Sequence, residues 1–145
     1  FERSGERRKA GFGFFLDSLA LKPMTNVRLE STIRGIPGVI VSIPERCTRQ
    51  RPPYCDDGRR KRVALASMAG SRCAMAVMID GVRVYSPRET GRIDWENAFD
   101  LDLELVSSLV AIEVYRRTSE TPLEFQGLNS ECGLLVLWTR AKTAR

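Results

Sequence analysis

Val77-Met78-Ile79-Asp80-Gly81-Val82, Ala111-Ile112-Glu113-Val114-Tyr115-Arg116 and Cys132-Gly133-Leu134-Leu135-Val136-Leu137-Trp138-Thr139-Arg140 follow one another in this order in the second half of the chain. Each reads as a β-strand with a turn or a glycine beside it. Asp80-Gly81 is a hairpin signal, because both residue types tolerate positive φ. Ile112 to Tyr115 alternates with the period of two that a strand requires. Leu134 to Trp138 is an unbroken apolar run of the length of a buried strand. Asp80 and Glu113 read either as parts of a functional pattern or as a plain turn residue and a plain solvent-face residue.

Outward from these strands, the remaining chain supplies short elements. Gly11 to Leu16 is either a short strand or an apolar anchor, and Asp17 caps a helical turn that Pro23 stops. Thr25 or Asn26 caps a second helix through Arg34, with Val27, Leu29 and Ile33 toward the core. Pro37-Gly38 turns into a strand over 39–43, and Val63 to Ser67 reads as another. Asp100 to Leu105 alternates like a strand but adjoins Val106 to Leu109, which suits a short helix; periodicity leaves both open. Pro122 starts a turn or short helix. Strands mixed with short helices predict an α+β domain: one mixed sheet with a helix over 26–34 packed on it. Its core is expected at Val39, Val41, Val77, Ile79, Ile112, Val114, Leu135 and Leu137. Residues 1–10 read as a flexible basic lead-in, 11–140 as the domain and 141–145 as a tail.

Composition narrows the function classes. The 145 residues are enough for one domain with a real core, and mean hydropathy is −0.22. No apolar run approaches the roughly 18–20 residues of a membrane helix. The chain opens at Phe1 without a signal-like pattern, which reads as a mature or excised fragment of something longer. Histidine is absent, which removes Ser-His-Asp and Cys-His arrangements and every His-containing zinc site. No cofactor and no catalytic constellation is expected.

Charge is uneven. Residues 1–62 carry 14 Lys/Arg against 7 Asp/Glu, a net +7, while residues 63–145 carry 9 against 11, a net −2. The clusters Arg7-Arg8-Lys9 and Arg59-Arg60-Lys61-Arg62 read as phosphate-attracting patches or as solvated loop and terminus. With Tyr54 the sole aromatic of the 46–62 region, no stacking platform for a nucleic acid is present, so no nucleic-acid partner is expected. Six carboxylates between residues 86 and 104 (Glu89, Asp94, Glu96, Asp100, Asp102, Glu104) lack the spacing of a calcium loop. They read as a polar loop, with a carboxylate-based, metal-dependent enzyme as the alternative.

Four cysteines without a C-x-x-C pair fit disulfides in an oxidising compartment, with free buried thiols as the other reading. Three connectivities are open. Cys73 and Cys132 each precede a proposed strand, and a bridge between them would close a loop of about 60 residues, worth about 4 kcal/mol in the chain-entropy model. Cys47 and Cys55 flank an Arg/Pro-rich segment and could then pair locally.

Taken with Gly35-Ile36-Pro37-Gly38-Val39 and the helix before it, the ordered phrases resemble the plug domain of TonB-dependent outer-membrane receptors, over about residues 11–140. The correspondence runs through Thr25–Arg34, Pro37-Gly38-Val39, Val63–Gly70, Ile79-Asp80-Gly81, Ile112-Glu113-Val114, and Gly133 to Thr139-Arg140. The sequence also departs from the family's pattern. Arg116 is followed by Arg117-Thr118 where plugs carry Gly-Pro, and Phe125-Gln126-Gly127 stands where plugs carry Tyr-Gly. No TonB-box segment precedes the domain and no alternating barrel strands follow Arg140, which reads as a plug-like domain apart from a barrel.

The resemblance implies a non-enzymatic gating or binding module at the outer membrane, on its periplasmic side, or in the periplasm. It implies a β-barrel partner, an inner-membrane energy-coupling partner, and a small-molecule or glycan substrate. A periplasmic interaction domain without a transport role is the alternative. The charged loops 44–62 and 86–99 are the candidate contact surfaces, through Arg49, Arg51, Tyr54, Arg88, Glu89, Arg92 and Trp95.

Overall fold

The computed structural model describes residues 6–7, 13–24, 27–43, 62–66, 73–87, 93, 95, 97–101, 106–125 and 132–140. Seven strands are described: β1 (Phe14–Leu16), β2 (Val39–Ser42), β3 (Val63–Ala66), β4 (Ala76–Ile79), β5 (Val82–Tyr85), β6 (Leu109–Tyr115) and β7 (Leu134–Thr139). Two short helices accompany them, α1 (Ser18–Leu21) and α2 (Leu29–Arg34). Short 3-10 turns lie at Lys22–Met24, Val106–Ser108, Thr118–Glu120 and Leu123–Phe125. The domain is α+β. Its main sheet has five strands in the order β1-β6-β7-β4-β5. All neighbours are antiparallel except β4 and β7, which run parallel.

One expectation about the sheet is corrected. β2 and β3 do not join the main sheet but pair with each other, Val39 opposite Ala66 and Ser42 opposite Val63. The two sheets are tied by the Met75 N–H, which donates to the Ala64 carbonyl at 3.0 Å just before β4 begins. The small sheet instead packs onto the same core through both faces of β3: Val63 and Leu65 on one, and Ala66 beside Val39 on the other, are buried with Leu29 and Ile33 of α2. Pairing within a hairpin-like unit and packing against a sheet are equally compatible with apolar alternation, so sequence pattern does not separate them.

Local signals account for the ends of the elements. Asp17 caps α1, its carboxylate accepting from the Ala20 N–H at 2.9 Å. Helix α2 is shorter than expected. It starts at Leu29 behind Arg28, which makes no side-chain cap, and Val27 is exposed rather than core-facing. Leu29, Ile33 and the following Ile36 form its buried face, the i, i+4, i+7 pattern of one helix side. The β4–β5 turn places Asp80 at φ 53° and Gly81 at φ 84°, the double positive φ of a two-residue hairpin. Gly133 serves a different need. A Cβ there would lie 3.0 Å from the Met75 methyl and 3.1 Å from the Tyr115 carbonyl, so only glycine lets β7 start this close to its neighbours.

The central strands of the main sheet, β6, β7 and β4, are covered on both faces. Val77, Ile112, Val114, Leu135 and Leu137 face the helices and the small sheet, as expected for core positions. Val41 and Ile79, expected in the core, are only partly buried at its edge. The opposite face gathers Ala76, Met78, Ala111, Tyr115, Leu134, Val136 and Trp138 with Phe125. The parallel pair is stapled at its start by a disulfide between Cys73 and Cys132, with Cα atoms 5.8 Å apart and a sequence separation of 59 residues. That bridge is the long connectivity foreseen from the two strand edges. Cys47 and Cys55 lie outside the described residues.

Candidate functional site

The densest polar arrangement among the described residues sits on the second face of the main sheet, around Glu113. Residues 111, 113 and 115 of β6 point to that face by strand alternation, and Glu113 lies opposite Phe15 of β1 and Val136 of β7. Its side chain is fully buried. Both carboxylate oxygens are used twice. Arg7 donates through Nε and Nη2, each at 2.6 Å, in the parallel two-bond geometry that a guanidinium makes with a carboxylate. The Tyr115 hydroxyl donates to Oε1 at 2.5 Å and the Trp138 indole N–H to Oε2 at 2.6 Å.

Arg7 is enclosed on its other sides. Its Nη1 donates to Glu124 at 2.7 Å, and its guanidinium carbon stands 4.8 Å over the centre of the Phe125 ring. Phe15 meets Tyr115 edge-on at 5.9 Å, and Tyr115 meets Phe125 at 6.1 Å, which closes an aromatic wall around the ions.

The electrostatics follow from this enclosure. Burial opposes charge on Glu113, but the hydrogen bonds from Arg7, Tyr115 and Trp138 and the Arg7 charge outweigh it, holding the carboxyl below the usual range. Burial also opposes charge on Arg7, and its bonds to Glu113 and Glu124 overcome that and hold it protonated. Burial, then the bond to Glu113 and its negative charge, push the Tyr115 phenol well above its ordinary value. At neutral pH the centre is a carboxylate, a guanidinium and a neutral phenol.

Two of these placements revise the reading of the sequence. Glu113 is not a solvent-face residue, and Arg7 does not belong to a solvated terminus: it is a buried ion in the second core. A signal for the first was available. β7 is apolar at every position from Leu134 to Trp138, so it is covered on both faces, and a carboxylate on the adjacent strand must then be buried with a partner. Nothing in sequence pointed to Arg7, 106 residues away.

Two smaller arrangements secure the ends of the motif strands. Asp80 is a turn residue and more: its carboxylate accepts from the Thr139 N–H at 2.8 Å and from the Thr139 hydroxyl at 2.5 Å, fastening the β4–β5 turn to the end of β7. After β6, Glu120 takes two bonds from the Arg116 side chain and one from its backbone N–H, at 2.9 to 3.2 Å. Burial works against the Glu120 charge, and these bonds to Arg116 prevail and lower its pKa. Arg116 also reaches the Pro37 carbonyl at 3.4 Å, tying the end of β6 to the turn before β2.

Of the candidate loop contacts, Trp95 is partly buried and packs against the first core. Arg49, Arg51, Tyr54, Arg88, Glu89 and Arg92 lie outside the described residues, as do Asp94, Glu96, Asp102 and Glu104. Asp100 is buried and accepts from the Arg62 N–H at 3.2 Å. Among the described residues no three His, Cys, Asp or Glu side chains group closely enough to share a metal ion. An apolar cavity of about 300 Å³ opens between β1 and α2, lined by Phe14, Leu16, Met24, Val27, Thr32 and Ile36 among others. No described helix is long and apolar enough to cross a membrane. No protein-family model matches the chain, and no curated protein matches it.

Proposed function

We propose that this domain is a non-enzymatic plug-like module that binds and gates within a larger outer-membrane assembly, on the periplasmic side. One observation carries the reading. The three strands that bear the resemblance, at Asp80-Gly81, Ile112-Glu113-Val114 and Gly133 to Arg140, lie side by side in the run β6-β7-β4-β5. Asp80 is bonded directly to Thr139, so two of the phrases meet through side chains. The Cys73–Cys132 bridge supports an oxidising compartment. On this reading the partners are a β-barrel and an inner-membrane energy-coupling protein, and the substrate is a small molecule or glycan reached through the charged loops. The alternative, a periplasmic interaction domain without a transport role, draws on the exposed Val82 and Val84 of the edge strand β5.

Fractionation of the native host, combined with photo-crosslinkers at positions 49, 54, 88 and 92, tests the proposal. The expected result is recovery with the outer membrane and crosslinks to an identified β-barrel protein. Crosslinks to soluble periplasmic proteins alone favour the alternative. Recovery in the cytosol with Cys73 and Cys132 reduced overturns both.

A further inference from the structure

We propose that the apolar cavity between β1 and α2 is a binding site for a small uncharged phenol, a single aromatic ring with a short alkyl substituent. The inference stands on the cavity and is independent of the plug reading.

The cavity follows from the way two elements meet. Phe14 and Leu16 are two residues apart on β1, so both turn to the helix side of the sheet, paired with Val114 and Ile112 of β6. Ser31 and Gly35, and likewise Thr32 and Ile36, are four residues apart, so they stack along one side of α2 and its end. Met24 and Val27 close the space from the connection before α2. β1 is an edge strand of the main sheet, and the cavity beside it is open to solvent rather than sealed. Val27, Ser31 and Gly35 are exposed and form its rim, while Ile36 at 3% and Thr32 at 7% exposure form its floor.

Its chemistry selects the ligand. About 150 Å³ of apolar cavity takes up a benzene, and the volume of about 300 Å³ here leaves room for a ring and a short alkyl chain. None of the described lining residues carries a charge, so an ion would be desolvated there without a partner. The Phe14 ring and the Met24 thioether both favour an aromatic partner, the first through ring–ring and the second through sulfur–ring contact. One buried polar group is underused. Among the described residues the Thr32 hydroxyl bonds only Met24 Sδ, at 3.8 Å, and a thioether is a weak acceptor. A hydroxyl has one hydrogen and two lone pairs to place, so a ligand hydroxyl, which both donates and accepts, completes it.

Gly35 offers a way to close the mouth. Its φ is −78°, and a Cβ there would meet only the Thr32 carbonyl, at 3.5 Å. The backbone therefore accepts a larger residue at the rim.

The test is methyl-resolved NMR of the full chain titrated with 4-ethylphenol. The expected result is a saturable one-to-one shift of the Leu16, Met24, Val27 and Ile36 methyls, with Kd about 0.1–1 mM. The methyls of Met78 and Val136, on the far face of the sheet, should not move. Thr32→Val should raise Kd about three- to tenfold, the worth of one hydrogen bond, and Thr32→Ser should keep it near the native value. Gly35→Leu should abolish the shift while its Met78 and Val136 signals stay native. The alcohol 4-ethylcyclohexanol, which has the hydroxyl without the aromatic ring, should bind several-fold more weakly. Lack of saturation below about 10 mM overturns the proposal, as does movement of the methyls of both faces together. An equal Kd in T32V, or equal binding of 4-ethylcyclohexanol, overturns it as well.

Discussion

The two faces of β6 and β7 are built by opposite strategies. Toward the helices, Ile112, Val114, Leu135 and Leu137 meet Leu21, Leu29 and Ile33, and the contact is wholly apolar. Toward the other side, Glu113, Tyr115 and Trp138 meet Arg7 and Phe125, and the contact is organised around an ion pair with every donor directed. The first face is stabilised roughly in proportion to area, so trimming it costs in proportion to what is trimmed. The second is stabilised by completeness. Its charges are desolvated, so losing one member strands the others without water to replace it.

The largest expected effect breaks that second face. Glu113→Ala should lower stability by about 3–5 kcal/mol, because Arg7, Tyr115 and Trp138 lose their acceptor together. Ile112→Val, one residue away on the aliphatic face, should cost only about 0.5–1.5 kcal/mol. Urea unfolding of both variants makes the comparison, and equal losses would mean that the ion pair is not buried as described. An Arg7→Met, Glu113→Leu double variant sharpens it: this pair should recover the part of the loss owed to the stranded Arg7 charge but not the part owed to Tyr115 and Trp138, which still lack their acceptor.

A somewhat smaller effect acts on both faces together. Cys73→Ser with Cys132→Ser frees the starts of β4 and β7 and should cost about 2–4 kcal/mol. With Trp95→Phe in the background, so that Trp138 is the tryptophan that reports, fluorescence from the aromatic face and far-ultraviolet circular dichroism should still report one transition. Separate transitions would show that the faces melt independently.

Titration comes next. Glu113 is held below its unfolded value of about 4.3, so its contribution is present above that pH and is lost as pH falls through the folded value. Tyr115 is held above its unfolded value of about 10, so its contribution is present below that pH and is lost as pH rises through the folded value. Urea midpoints should therefore be level between about pH 5 and 10 and fall on either side. Tyr115→Phe should reduce the alkaline decline, and an unchanged alkaline limb in that variant would count against the bond to Glu113.

The smallest effect sets the scale for the rest. Arg34 bonds Glu30 one helical turn away at 2.7 Å, with half of the Arg34 side chain exposed. Arg34→Ala should cost no more than about 0.5 kcal/mol by thermal denaturation. The contrast with Arg7 would then rest on burial and on the further bonds that Arg7 and Glu113 make, since both pairs join an arginine to a glutamate.

Much of the fold was legible in short range. The Asp80-Gly81 hairpin, the strands β6 and β7, the Asp17 cap and the apolar face of α2 all depend on neighbours within a few residues, and those neighbours are written beside them. The Cys73–Cys132 bridge was legible once both residues were placed at strand starts, though sequence alone left its connectivity open.

What only the tertiary structure decided was which distant segments meet. Alternation tells a strand that it has an apolar side, but not whether it covers that side by pairing into a sheet or by packing onto one. That is why β2 and β3 stand apart from the main sheet. The candidate site depends on the same kind of choice. Glu113, Tyr115 and Trp138 come together through strand register, and Arg7 reaches them across more than a hundred residues. A local pattern carries no record of such a partner. The cost of leaving a carboxylate buried without one is what makes the contact necessary, and it becomes visible only when both faces of the sheet are seen to be closed.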